Sequence, residues 1–299
     1  ASVIKERLGQ EDDLRDMSPV VYTPDLMHGI YRGEATGFRE KILSAYNRVK
    51  EKKDVLLIGG GRTLNEGCTL GYSAMQLIED TGSRVLMIER YEESSGLDRI
   101  LAARKNLGER FAALVFNRVE PDNVDFIRSQ IVPFLEDRGV AVLGVIPADK
   151  VLSAVSVGDL VKSIGGTIYT AKDKTELLIE RFMVGAMNQD AAASRFRRVQ
   201  NKAVITGGDR IDLQVAALET PTRALVLTGG MAPHPLILSK SDELQVPVIV
   251  APDDTLTTVK KIDRLSGRPS IKGPEKAERA MALFRDCLDM DKLESLGVV

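Results

Sequence analysis

The residues best placed to do chemistry are Gly207-Gly208-Asp209-Arg210. They follow the apolar run Ala203-Val204-Ile205-Thr206 and precede a helical pattern from Ile211 to Leu218. Glycines at such a junction bring backbone N–H groups to the surface, and an arginine beside them is a bidentate donor for an anion. Asp209 also has a plainer reading. A carboxylate just before a helix is a good N-cap, and Asp212 suits the positive end of the helix dipole. A capping carboxylate would occupy the place an anion wants, so two roles stand side by side: Asp209 as the cap, and Arg210 as a contact to a ligand or to another subunit. A sister junction, Ala224 to Thr228 followed by Gly229-Gly230, lies about one βα unit further on.

Other candidates are sparser. Gly59-Gly60-Gly61 closes the apolar run Val55-Leu56-Leu57-Ile58. Such a run is either a close approach to a ligand phosphate or a tight turn with no ligand. Asn117 ends the run Ala113 to Phe116, where an Asx-turn is one reading. Asp149 reads as a cap or turn residue, and Asp253-Asp254-Thr255 as a helix cap. The two histidines, His28 and His234, have no partner pattern, and His234 lies between Pro233 and Pro235 as a loop constraint. Cys68 and Cys287 are too few and too far apart for a disulfide framework or a zinc cluster. No Ser-His-Asp or Cys-His order is present, and Arg195, Arg197 and Arg198 read as a solvated helix face.

The elements that position these residues alternate. Short β-branched runs at Val55–Ile58, Val85–Ile88, Ala113–Phe116 and Val140–Ile146 are each expected to form strands. Helical spacing separates them, as in Leu97, Ile100, Leu101, Leu107 and then Val124, Ile127, Ile131, Leu135. Strand and helix in alternation imply parallel sheets. After a weakly patterned stretch from Val151 to about Thr170 the alternation resumes, and an amphipathic helix through Ala277, Met281, Phe284 and Leu288 closes the chain. The 299 residues, 32.7 kDa, fit two domains. With 41 basic against 43 acidic side chains, a formal charge of −2, a broad nucleic-acid footprint is excluded. No apolar run approaches the ~20 residues of a membrane span, so no membrane partner is expected and the cytoplasm is the expected compartment.

Several phrases resemble known families. Lys202 to Asp212 (KAVITGGDRID), Ala224 to Gly230 (ALVLTGG), Pro247 to Val250 and Asp253 to Val259 are similar, in order, to the DRTGG domain. Ser18 to Val21, Asp54 to Gly61, Phe116 to Val119 and Leu143 to Pro147 resemble the dethiobiotin-synthetase-like domain that precedes DRTGG in phosphate acetyltransferases. Two departures stand out. The phosphate-binding loop of that family, GxxxxGK[ST], does not occur, and Ile58 runs directly into Gly59 where the family carries a Glu. The acetyltransferase domain proper is not matched either.

The expected fold class is therefore α/β with two parallel-sheet domains, the first P-loop-NTPase-like without its P-loop and the second DRTGG-like. The expected bounds are 1–165, 174–267 and a helical tail 268–299. The P-loop strand normally lies inside its sheet. The resemblance thus implies a first domain whose sheet lacks that strand or is completed by other polypeptide. It also implies a non-catalytic ligand-sensing or assembly module with a small-molecule effector and self-association through the DRTGG domain. The alternative is an ATP-dependent enzyme of the dethiobiotin synthetase or cobyrinate amidation type whose P-loop lies upstream. Nucleotide is expected as a cofactor only in that case, with Gly59, Gly60 and Asn117 the candidates in the first domain, Asn117 in the place where related domains read a base. Gly207, Gly208, Asp209 and Arg210 are the candidates in the second.

Overall fold

The computed structural model describes residues 5, 9–51, 53–92, 95–185, 189–266 and 273–295. The chain forms two compact units, Ala1–Val145 with Leu288–Val299, and Ile146–Cys287.

In the first unit, β1 (Val85–Glu89), β2 (Phe111–Val119) and β3 (Val142–Pro147) form a three-stranded sheet in the order β1-β2-β3. β1 runs parallel to β2, with Met87 opposite Leu114. Around the sheet lie α1 (Phe38–Lys50), α2 (Ala74–Thr81), α3 (Gly96–Leu107) and a helical stretch from Val124 to Glu136 with a π turn at Ile127–Ile131. Local chemistry sets the helix ends. Ser73 and Gln76 form a reciprocal capping box at the start of α2, and Gly82 ends that helix in the left-handed conformation. The 3.6-residue spacing of Ile100, Ala103 and Leu107 presses one stripe of α3 onto Leu114 and Phe116, with Ile127, Leu135 and Val142 completing the core.

One expected strand is absent. Val55–Ile58 forms no strand, and Leu57 is 82% exposed. β1 pairs only with β2 in the sheet order, so no ladder among the described residues takes up Val55–Ile58, of which Val55, Leu57 and Ile58 are exposed. β-branched composition favours a strand only where a partner strand and a covered face exist.

The second unit holds a five-stranded sheet and a two-stranded one. β4 (Val155–Ser156) and β6 (Leu178–Ile179) make a small antiparallel pair. β5 (Thr167–Ile168), β7 (Arg181–Val184), β8 (Lys202–Gly207), β9 (Thr222–Thr228) and β10 (Val248–Val250) form a sheet in the order β5-β10-β9-β8-β7. β7 to β10 are parallel, and β5 lies antiparallel on β10. The helices are α4 (Val157–Ile164), α5 (Gln189–Arg197), α6 (Ile211–Leu218), α7 (Pro235–Glu243), α8 (Thr255–Ser266) and α9 (Pro274–Cys287).

Each crossover from β7 to β10 moves one place in the same direction. Right-handed connections therefore put α5, α6 and α7 on one face. The packing agrees: Phe196, Leu213, Ala216 and Ile237 meet Val204, Leu225 and Val248. On the opposite face Leu160, Ile164 and Ile262 meet Ala203, Ile205, Val226 and Ile249. Successive residues of β8 thus point to opposite cores, and both are filled, which is why its sequence reads as a continuous apolar run. Lys202 opens that strand fully buried, its Nζ donating to the Pro221 carbonyl at 2.9 Å. Desolvation pulls its pKa down to about 8.

Candidate functional site

The C-terminal ends of β8, β9 and β10 are tied into one surface. The Gly208 N–H donates to the Thr228 carbonyl at 3.1 Å, Gly229 N–H to Asp253 at 2.8 Å and Gly230 N–H to Ala251 at 2.9 Å. The Thr228 and Thr255 hydroxyls share a hydrogen bond of 2.7 Å, linking the end of β9 to the start of α8. Gly208 is required here because a Cβ would lie 2.8 Å from the Met231 Cβ, and Gly229 adopts a left-handed φ of 87°.

The structure reassigns Asp209. The N-cap position of α6 is Arg210, with no side-chain cap hydrogen bond, and Asp209 is exposed with its carboxylate folded over Gly207. The helix begins one residue later than a capping Asp209 requires, because Arg210 itself occupies the step into helical backbone. Arg210 instead holds Asp212 in a two-pronged pair, Nε to Oδ1 at 3.0 Å and Nη2 to Oδ2 at 2.8 Å. That guanidinium keeps the Asp212 carboxyl below the usual carboxylate range.

Beneath the turn sits a residue that the sequence reading missed. Gln214 is fully buried, and its Nε2 donates to the carbonyls of Gly207 at 3.0 Å and Gly208 at 3.1 Å. Among the described residues its Oε1 has no hydrogen-bond partner, and neither does the buried Thr258 Oγ1 near the start of α8. The signal was present: Gln214 falls on the stripe of Ile211, Val215 and Leu218, a lone amide at an apolar position.

The other candidates stand apart from this surface. Gly59 and Gly60 are exposed, and an added Cβ at either would touch nothing within 4 Å. Gly61 lies under Glu66, whose Oε2 accepts from the Arg62 N–H at 2.6 Å. Asn117 is half-buried near the end of β2, makes no side-chain hydrogen bond among the described residues, and precedes Arg118 at a left-handed φ of 56°. The Asx-turn reading therefore does not hold, because no side-chain bond closes it. Gly59, Gly60 and Asn117 belong to the first unit, and the Gly207–Arg210 turn to the second. Several bland readings hold. Asp149 caps the turn Lys150–Ser153 and pairs with Arg279, Asp254 accepts from the Thr257 N–H, and His234 caps α7 through Nδ1. Arg195, Arg197 and Arg198 are exposed. Among the described residues no cluster of three His, Cys, Asp or Glu could hold a metal, and no helix is long and apolar enough to cross a membrane.

Comparison with known proteins follows this division. Residues 1–156, more than half of the chain, match the AAA domain family. The chain belongs to that family. After its AAA domain, residues 159–265 match the DRTGG domain, so the Gly207–Arg210 turn and Gln214 lie within it. Phosphate acetyltransferase of Nitratidesulfovibrio vulgaris is 21% identical over 288 residues, 89% of this chain but 40% of that relative. The chain thus spans well under half the length of that protein. The uncharacterized protein YtoI of Bacillus subtilis is 28% identical over 113 residues, 38% of this chain and 25% of its own. Among solved structures, the CBS and DRTGG domains of the regulatory region of Clostridium perfringens pyrophosphatase, complexed with the activator diadenosine tetraphosphate, share 21% identity. That match covers 38% of this chain and 48% of that one at a TM-score of 0.34.

Proposed function

We propose that this chain is a non-catalytic ligand-sensing and assembly module, similar in role to the front half of phosphate acetyltransferase. The observation that carries the reading is the surface at the ends of β8, β9 and β10. Three strand ends are tied together there above a buried amide whose oxygen lacks a donor among the described residues, and buried polar groups are nearly always satisfied. Gly207, Gly208, Asp209 and Arg210 border that surface and are the proposed effector-contacting residues. The same reading has the protein self-associate through its DRTGG domain in the cytoplasm. Nucleotide contacts by Gly59, Gly60 and Asn117 belong to the alternative, an ATP-dependent enzyme, and depend on a phosphate loop that these 299 residues do not include.

The test is a thermal-shift screen of the whole chain against a metabolite set, with light scattering with and without each hit and an assay of Mg-ATP hydrolysis. The expected result is a saturable stabilising ligand, a mass above one chain, and neither ATP turnover nor ATP affinity better than roughly millimolar. ATP turnover, or a micromolar Kd for Mg-ATP, replaces this reading with the enzyme.

A further inference from the structure

We infer that Arg90 and Arg118, at the carboxyl ends of β1 and β2 in the first unit, form a two-arginine clamp for a phosphate group, carried by a free phosphate ion or a small phosphate ester. The inference stands apart from the effector reading of the second unit, since it places a further ligand on the first.

The backbone brings the two side chains to one end of the sheet. β1 and β2 run parallel, and their pairing ends at Glu89 opposite Phe116, so Arg90 and Arg118 follow that last pair by one and two residues. Parallel sheets place ligands beyond the carboxyl ends of their strands. Both stems are fixed. Tyr91, next to Arg90, packs edge-on against Phe116 and Phe126, with ring centroids 6.4 and 6.3 Å away. Arg118 lies between Phe116 and Val119, 1% and 2% exposed, and its φ of 56° is left-handed. Outside glycine that conformation is costly, and it persists only where the surroundings impose it.

Nothing inside the fold offsets that cost. Arg118 is half-buried, yet neither its guanidinium nor that of Arg90 makes a hydrogen bond or an ion pair among the described residues. The acids beside Arg90 are committed elsewhere, because Arg99 takes Glu89 at 3.0 Å and Glu92 at 3.1 Å. Burial holds the Arg118 pKa below its ordinary value. The nearby charge of Arg90 adds to that effect, and the exposed Glu120 opposes it less than Arg90 adds. Two like charges held close, one of them partly desolvated, stay unfavourable until an anion joins them. Charge and geometry then select the anion. A carboxylate brings one charge and two oxygens, enough for one guanidinium fork. A phosphate group brings up to two charges and three acceptor oxygens, so it can meet two forks at once.

The experiment is calorimetric titration of the whole chain, at fixed ionic strength, with inorganic phosphate, glycerol 3-phosphate and acetate. It is run on the native sequence and on Arg90→Gln and Arg118→Met. Saturable binding of at least one phosphate compound is expected, the tighter of the two naming the source of the group, with no binding of acetate. Arg118→Met should weaken binding about tenfold or more, and Arg90→Gln, at an exposed position, about fivefold with an unchanged Tm. In phosphate-free buffer Arg118→Met should melt no lower than the native sequence, because it removes a half-buried charge that the fold leaves unpaired. Silence towards both phosphate compounds, equal binding of acetate, binding unmoved by Arg90→Gln, or a lower Tm for Arg118→Met overturns the inference. None of these outcomes bears on the effector reading, which concerns the second unit.

Discussion

Two stretches of this chain share one sequence logic and fold in opposite ways. Val55-Leu56-Leu57-Ile58 and Ala203-Val204-Ile205-Thr206 are both short apolar runs closed by glycines. The second is a central strand with Val204 wholly buried between two helical layers, while the first joins no ladder and leaves Leu57 in water. The difference lies in the neighbours. β8 has β7 and β9 to take its backbone groups and cores on both faces, and Val55–Ile58 has neither. Glycines become a site only when the strands before them are pinned, because pinning brings separate strand ends together. The largest test of this contrast is truncation. Leu225→Ala, in β9 beside β8, should cost about 2–5 kcal/mol in urea unfolding. Leu57→Ala should stay within about 0.5 kcal/mol, as exposed substitutions do. Comparable losses at both positions would break the comparison.

The buried start of β8 gives the next effect. Lys202 has a folded pKa of about 8 against an ordinary 10.5, because burial penalises its charge. Between those values the unfolded chain binds more protons than the folded one, so stability should rise as pH climbs from about 8 to 10.5. Below about 8 the penalty is fully present. A gain on the order of 1–3 kcal/mol is expected across that window, read by chemical denaturation at stepped pH. Lys202→Met removes the titrating group and should flatten the rise. An unchanged slope in that variant would mean that Lys202 holds its proton in the fold as easily as outside it.

The sequence shows the fold wherever local pattern and tertiary context agree. The helices Phe38–Lys50, Gly96–Leu107 and Ile211–Leu218 follow their apolar stripes, and β8 and β9 end at the glycines that mark them. Strand β7 was not legible, because Arg181-Phe182-Met183-Val184 at the sheet edge has one β-branched residue and a charge at its start. β5 is two residues long and antiparallel, too short for any period to register. At the site, the glycine turn stood out on composition, whereas its partner Gln214 is identified by the bonds it makes to two carbonyls. Capping depends on the φ and ψ of one residue, and that placed Arg210 rather than Asp209 at the helix entry.

Glycine substitution sharpens the comparison at smaller scale. Gly208→Ala places a Cβ 2.8 Å from the Met231 Cβ, and relief requires the methionine stem or the turn to move. A loss of roughly 1–3 kcal/mol is expected, the usual range for overpacking. Gly60→Ala meets nothing within 4 Å, and its φ is not left-handed. It should be neutral or stabilising by about 0.4–1 kcal/mol through the unfolded chain. Thermal melts of the two variants measure both, and a destabilising Gly60→Ala would reveal a constraint on that loop.

The smallest effects fall on Asp209 and Arg210, and they are decisive because the two readings of this turn assign opposite magnitudes. A capping aspartate costs about 0.5–2 kcal/mol when removed. Asp209 is exposed and caps nothing, since Arg210 fills the N-cap position, so Asp209→Ala should shift stability by less than about 0.5 kcal/mol. Arg210→Ala removes the pair with Asp212. Both side chains are about two-fifths exposed, 39% and 41%, so solvent screens the pair. A loss of about 0.2–1 kcal/mol is expected at neutral pH. Its pH dependence follows from Asp212, whose folded pKa lies below its unfolded one. The contribution is complete above the unfolded carboxylate value near 4 and fades as pH falls through the lower folded value. Arg210→Ala should therefore converge on the native sequence in acid while differing from it at pH 7. If Asp209→Ala proves the more damaging of the two at neutral pH, the helix starts where its sequence pattern suggested, and the turn is built for capping.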